Sequence, residues 1–156
     1  YGAQNMGAGS VKRIREGFKA CTIIGAIYSV VAATFIMTAG KYMTYLFVSE
    51  DVQVIMSSVD IYLKCIGIFF IPLAIVNIYR NGIQGLGYGL LPMMAGVAEL
   101  IGRAVVAVIA GKMRSYPGVC LAGPAAWVLA GGLLVVMYYY IMNIHMRKMF
   151  GTNGKD

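Results

Sequence analysis

Charge is what this sequence has least of. Asp, Glu, Lys and Arg make up 12% of its 156 residues, and 60% are hydrophobic. A soluble domain carries about 25% charged residues. The shortage excludes an ordinary soluble globular domain and points to an integral membrane protein before any motif is read. Carboxylates are the scarcer sign, with six Asp and Glu against thirteen Lys and Arg. There is one histidine, His145. So few acids and one imidazole supply neither a nucleophile with its base nor a cluster of metal ligands, and the chain reads as a non-enzyme without a cofactor. Three cysteines, Cys21, Cys65 and Cys120, fall in three different apolar runs, with no CxxC spacing. They form no disulfide framework or zinc site and read as packing residues. Gly7-Ala8-Gly9 lacks the preceding strand and the Gly-Lys-Ser/Thr ending that a phosphate loop needs.

The basic excess, +7 overall, does not make a nucleic-acid surface. Its residues sit in short clusters between apolar runs, where they act as topology signals, not along one stripe. Residues 1–19 form a polar lead-in, with glycines and Asn5 marking a tight connection and Lys12, Arg13, Arg15 and Lys19 a basic helical segment. Four spans follow, over 20–40, 59–79, 88–111 and 118–145, and then a tail over 146–156. A helix of about 20 apolar residues covers a bilayer core of ~30 Å. The fold class is therefore all-α, with four transmembrane helices.

Between the first two spans, Tyr42 and Tyr45 suit an interfacial belt. Ser49, Glu50 and Asp51 look like the start of a short surface helix. Asp60 and Lys64 are spaced for a surface ion pair. Pro72 removes an N–H in mid-span and kinks the second helix. Pro92 lies in the first turns of the third. Small residues recur every four positions at Cys21, Gly25, Ser29 and Ala33, and again at Gly118, Ala122, Ala126 and Ala130, giving stripes for close helix approach. Trp127 reads as packing, Tyr138 to Tyr140 as an aromatic belt and His145 as interfacial. Eight basic residues on the side of residues 1–19, Arg80 and the tail outnumber three on the other. The positive-inside rule then puts both ends in the cytoplasm.

The stretch from Asn77 to Arg103 organises the rest. Arg80–Gly87, with Gln84, Gly85 and Gly87, reads as a glycine-rich hinge between antiparallel neighbours. Beyond it Glu99 and Arg103 lie deep in apolar sequence, four residues apart and able to pair. Each costs about 2.5–3.5 kcal/mol on insertion scales. They are either a stitch between helices or part of a transport and coupling path.

Two stretches carry a family likeness. Residues 1–9, with Gln4, Asn5, Gly7 and Gly9, resemble the GQNxGA signature of the multidrug and toxic compound extrusion family, and Arg80–Gly87 resembles the loop before the penultimate helix of a lobe in that family. The resemblance implies a partial six-helix lobe, the last four helices of a twelve-helix secondary transporter. Such a transporter exports cationic or amphipathic drug-like compounds by sodium- or proton-coupled alternating access. Its partners would be membrane lipid and the missing N-terminal part of the same transporter, and its place the cell membrane. The opening on Tyr1 fits a piece of a longer chain. A coupling-ion carboxylate that some members carry on the tenth helix aligns near Leu73, which cannot ligate a cation, so that site is not carried over. Flippases of lipid-linked polysaccharide, which share the architecture, are the alternative. A stand-alone four-helix membrane protein is the other, and an initiator Met just before Tyr1 would mark it.

Overall fold

The computed structural model describes residues 1–45 and 52–146. The expected helix start at Ser49, Glu50 and Asp51 lies outside them, as do Arg147, Lys148 and the 151–156 tail. All regular structure in the described residues is helical: α1 (Gly2–Gly7), α2 (Val11–Thr44), α3 (Val52–Gly67), α4 (Phe70–Gly85), α5 (Leu90–Lys112), α6 (Tyr116–Cys120) and α7 (Ala122–Tyr140), closing in a π-helical segment, Ile141–His145. Helices α2 and α5 and the run Tyr116–Ile144 are each long and apolar enough to cross a membrane. The pair α3 and α4, bent by 50° at their junction, meets the same test as one broken span. This is an all-α membrane protein.

The lead-in is more ordered than its glycines suggest. Gln4, Asn5 and Gly7 lie in α1, and only Gly9, at φ +67°, makes the turn. Asn5 is buried, its Nδ2 donating to the Tyr1 carbonyl (2.8 Å) while its own carbonyl accepts from Ser10 N–H (2.9 Å). Helix α2 then runs unbroken for 34 residues, roughly 51 Å. Its hydroxyls turn inward on the backbone. Thr22, Ser29, Thr34 and Thr38 each donate to the carbonyl four residues back at 2.7–2.8 Å, which hides polar atoms from lipid.

The second span departs from the expected 59–79 helix. It is two 16-residue helices that part at Ile68–Phe69. Pro72 sits in the first turn of α4, where it has no N–H for the Ile68 carbonyl and its ring crowds that carbonyl. The chain therefore bends one turn before the proline. Phe69 N–H takes the Ile66 carbonyl in a tight turn (3.0 Å). Across the bend, Ser29 Oγ, already on Gly25, also lies 3.1 Å from the Phe70 carbonyl, tying α2 to α4.

The expected hinge also needs correction. Arg80, Gln84 and Gly85 belong to α4, and the turn is confined to residues 86–89, with Gly87 at φ +91°. Gly82, within that expected hinge, lets α2 approach, since a Cβ there would run into the Phe18 ring. The third span starts at Leu90, not Tyr88, and Pro92 is harmless in its first turn, where N–H groups have no helical partner. The fourth starts at Tyr116, with Pro117 in the first turn of α6 and Ser115 Oγ accepting from Gly118 N–H (3.3 Å). Pro124, which the sequence reading passed over, has no N–H for the Cys120 carbonyl, and the chain breaks at Leu121. The far end continues into the core: Met146, placed with the tail from sequence, is 1% exposed.

Helix α7 is the centre of the bundle, against α5 on one side and α4 on the other. Ala122, Ala126 and Ala130 are buried. A Cβ at Gly102 would lie 3.0 Å from Leu129 Cδ2, so α5 and α7 pack closely through small residues. Of the α2 stripe, Gly25 and Ser29 face α4, while Cys21 is exposed. Trp127 packs against the core.

Candidate functional site

The charges meet at Glu99. Its Oε1 accepts from Nη2 of Arg103, one turn on in α5 (2.8 Å), and its Oε2 accepts from Nη2 of Arg80, in α4 (2.7 Å). Glu99 is 17% exposed, Arg80 30% and Arg103 49%. The three form a graded set, with the carboxylate deepest and one arginine near the surface. Both oxygens are taken, and each arginine engages by one nitrogen only. Arg80 Nε is buried with no hydrogen-bond partner among the described residues. The triad carries a net positive charge and ties two antiparallel spans together across the 86–89 turn.

The pairing of Glu99 with Arg103 follows from their spacing. The part played by Arg80 does not, because the sequence assigns it to a loop. Once α4 is continued to Gly85, Arg80 falls inside the hairpin and its long side chain reaches across. By contrast, Lys64 and Asp60 on α3 pair at 2.6 Å while 63% and 37% exposed, a surface pair of small energetic weight.

The signature-like residues gather elsewhere. Helix α1 touches the end of α4, with Gly2 facing Leu86 Cδ2 (a Cβ would sit at 3.7 Å). The Gln84 carbonyl accepts from Gly87 N–H (2.9 Å), and Gly85 and Gly7 have open space beside them. Pro72 marks the bend, and its carbonyl would lie 3.7 Å from a Cβ at Gly131 of α7. These residues shape the ends and the bend of α4; they do not join the triad. Among the described residues no three His, Cys, Asp or Glu side chains converge as metal ligands.

The model of the MatE family matches residues 1–109, more than half of the chain. The chain belongs to the MatE family. Its members are transporters. The MatE match takes in α1, the bend, the 86–89 turn and the whole Arg80–Glu99–Arg103 triad, and it stops near the end of α5. Comparison with curated proteins and with solved structures gave no significant match.

A feature that the sequence does not announce lies near the start of α2. Phe18, Tyr79 and Tyr138, from three helices, pack tilted and edge-on with ring centres 4.6–5.5 Å apart. Tyr138, expected in an interfacial belt with Tyr139 and Tyr140, is 8% exposed. Helical phase gave a hint, since Tyr138 continues the buried face of Ala130 and Leu134.

Proposed function

We propose that this MatE chain is part of a secondary active antiporter that exports cationic or amphipathic drug-like compounds by alternating access, driven by sodium or protons. Its partners are membrane lipid and the further helices of the same transporter, and its ends face the cytoplasm. The observation that carries this reading is the triad. Charges inside an apolar bundle are costly and are kept where they work, and here they join consecutive spans of a transporter-family chain. In this reading Glu99 is first a brace. With an arginine on each oxygen and a net positive charge around it, Glu99 is a poor ligand for a cation.

The test is ethidium accumulation in cells stripped of their main efflux pumps and expressing the full-length protein. Expected is lowered accumulation that is lost when the sodium or the proton gradient is collapsed. Unchanged accumulation, with the protein present in the membrane, rejects the antiporter reading. Within it, Glu99→Gln should lower protein level and efflux together if Glu99 is a brace. Normal expression with lost efflux would move Glu99 and Arg103 onto the coupling path instead.

A further inference from the structure

A cleft of about 380 Å³ opens between the start of α2 and the end of α7. Its floor is aromatic, from Phe18, Tyr79, Tyr138 and Tyr139, and its rim is basic, from Arg15 and Lys19. No carboxylate lines it. Lys19 is the last charged residue before the uncharged run 20–40, which sets the rim at the water boundary of the membrane. Thr22 and Ile23 continue the wall one turn deeper, into apolar sequence.

Arg15 is already placed. Its Nη2 donates to Asn143 Oδ1 (3.0 Å) and to the Met142 carbonyl (3.3 Å), both in the π-helical segment. These acceptors are neutral, so they orient the guanidinium without cancelling its charge. Neither Arg15 nor Lys19 has an ion-pair partner among the described residues. Two cations with no ion pair among the described residues, set over an aromatic floor, favour an anionic head group.

We propose that this cleft holds an anionic phospholipid, with its phosphate between Arg15 and Lys19, its glycerol over Tyr139 and one acyl chain along Thr22 and Ile23. Charge complementarity and depth together select this occupant: a basic pocket between helices at the membrane surface fits a lipid phosphate, and the apolar wall below it fits the tail. The site is separate from the Glu99 triad and does not rest on the antiporter reading.

The experiment is native mass spectrometry of the full-length protein released from detergent after incubation with dioleoylphosphatidylglycerol or dioleoylphosphatidylcholine. Expected is retention of phosphatidylglycerol at least about fivefold over phosphatidylcholine, with most of that preference lost in Lys19→Gln. Lys19 makes no bond within the described residues, so this variant should fold. Arg15→Gln is the second variant, read beside its thermal unfolding because Arg15 also holds the π-helical segment. The double variant Lys12→Gln/Arg13→Gln, basic residues on the same helix but outside the cleft, should keep the preference. Equal retention of the two lipids overturns the proposal. So does equal loss in the Lys12/Arg13 control, which would mean diffuse surface attraction, or an equally strong complex with inorganic phosphate alone.

Discussion

Arg80 and Glu99, nineteen positions apart, meet at 2.7 Å across the turn between α4 and α5. Taking away the acid leaves the half-buried Arg80 and the more exposed Arg103 without a counter-charge. Removing one partner of a fully buried pair costs about 3–5 kcal/mol; with partial exposure, Glu99→Ala is expected to cost about 2 kcal/mol. Arg80→Ala should cost about as much, and Arg103→Ala and Lys64→Ala less than about 1 kcal/mol each. Thermal unfolding of the four variants in one detergent gives the order. The charge-swapped double variant Arg80→Glu/Glu99→Arg should recover part of the loss.

The glycines near the end of α4 separate by role. Gly82→Ala drives a methyl into Phe18 and is expected to destabilise by about 1–3 kcal/mol. Gly85→Ala meets open space in a helical conformation and is expected to be neutral or to stabilise by about 0.4–1 kcal/mol. At Gly87, φ +91° makes any side chain strained, and Gly87→Ala should cost about 1 kcal/mol. A flat response across the three would mean that α4 does not approach α2 as described.

Pro72→Ala restores an N–H for the Ile68 carbonyl and should straighten the α3–α4 junction. Spin labels at Ile55 and Gln84, both exposed, report it. Unbending 50° between arms of these lengths lengthens their separation by about 4 Å. No change in the distance distribution would assign the bend to packing against α2 and α7.

Arg114 is the one non-glycine with positive φ among the described residues, at 51°, in the turn between α5 and α6. It is exposed there. Arg114→Gly should relieve about 1 kcal/mol of strain and raise the unfolding temperature. A fall would show that the Arg114 side chain holds the turn.

Much of this was legible from composition and apolar run length, because a bilayer sets both the length and the polarity of a span. The limits came from residues with two physical uses. Glycine can end a helix or let two helices touch, and the sequence does not say which. Gly82, inside the expected Arg80–Gly87 hinge, serves the second, and a hinge that starts at Arg80 takes that arginine out of the helix and away from Glu99. Proline gave a clean signal at Pro72, where its lost hydrogen bond falls one turn upstream. The same chemistry at Pro124 went unread inside an otherwise uniform apolar run. Glu99 with Arg103 was visible because four-residue spacing is local. The clustering of Phe18, Tyr79 and Tyr138 depends on three helices meeting, which no local period encodes.

The broken crossing has a mechanical consequence. Helix α2 is a single rod that touches both α3 and α4, whereas α3 leans on α6 and α4 on α7. One span is thus two short levers mounted on a common spine and answering to different companions. Their elbow, at Ile68–Phe69, lacks the hydrogen bond that would stiffen it. A shift of α3 against α6 can be taken up as a change of elbow angle before it reaches α4. The two halves of the broken span need not move together.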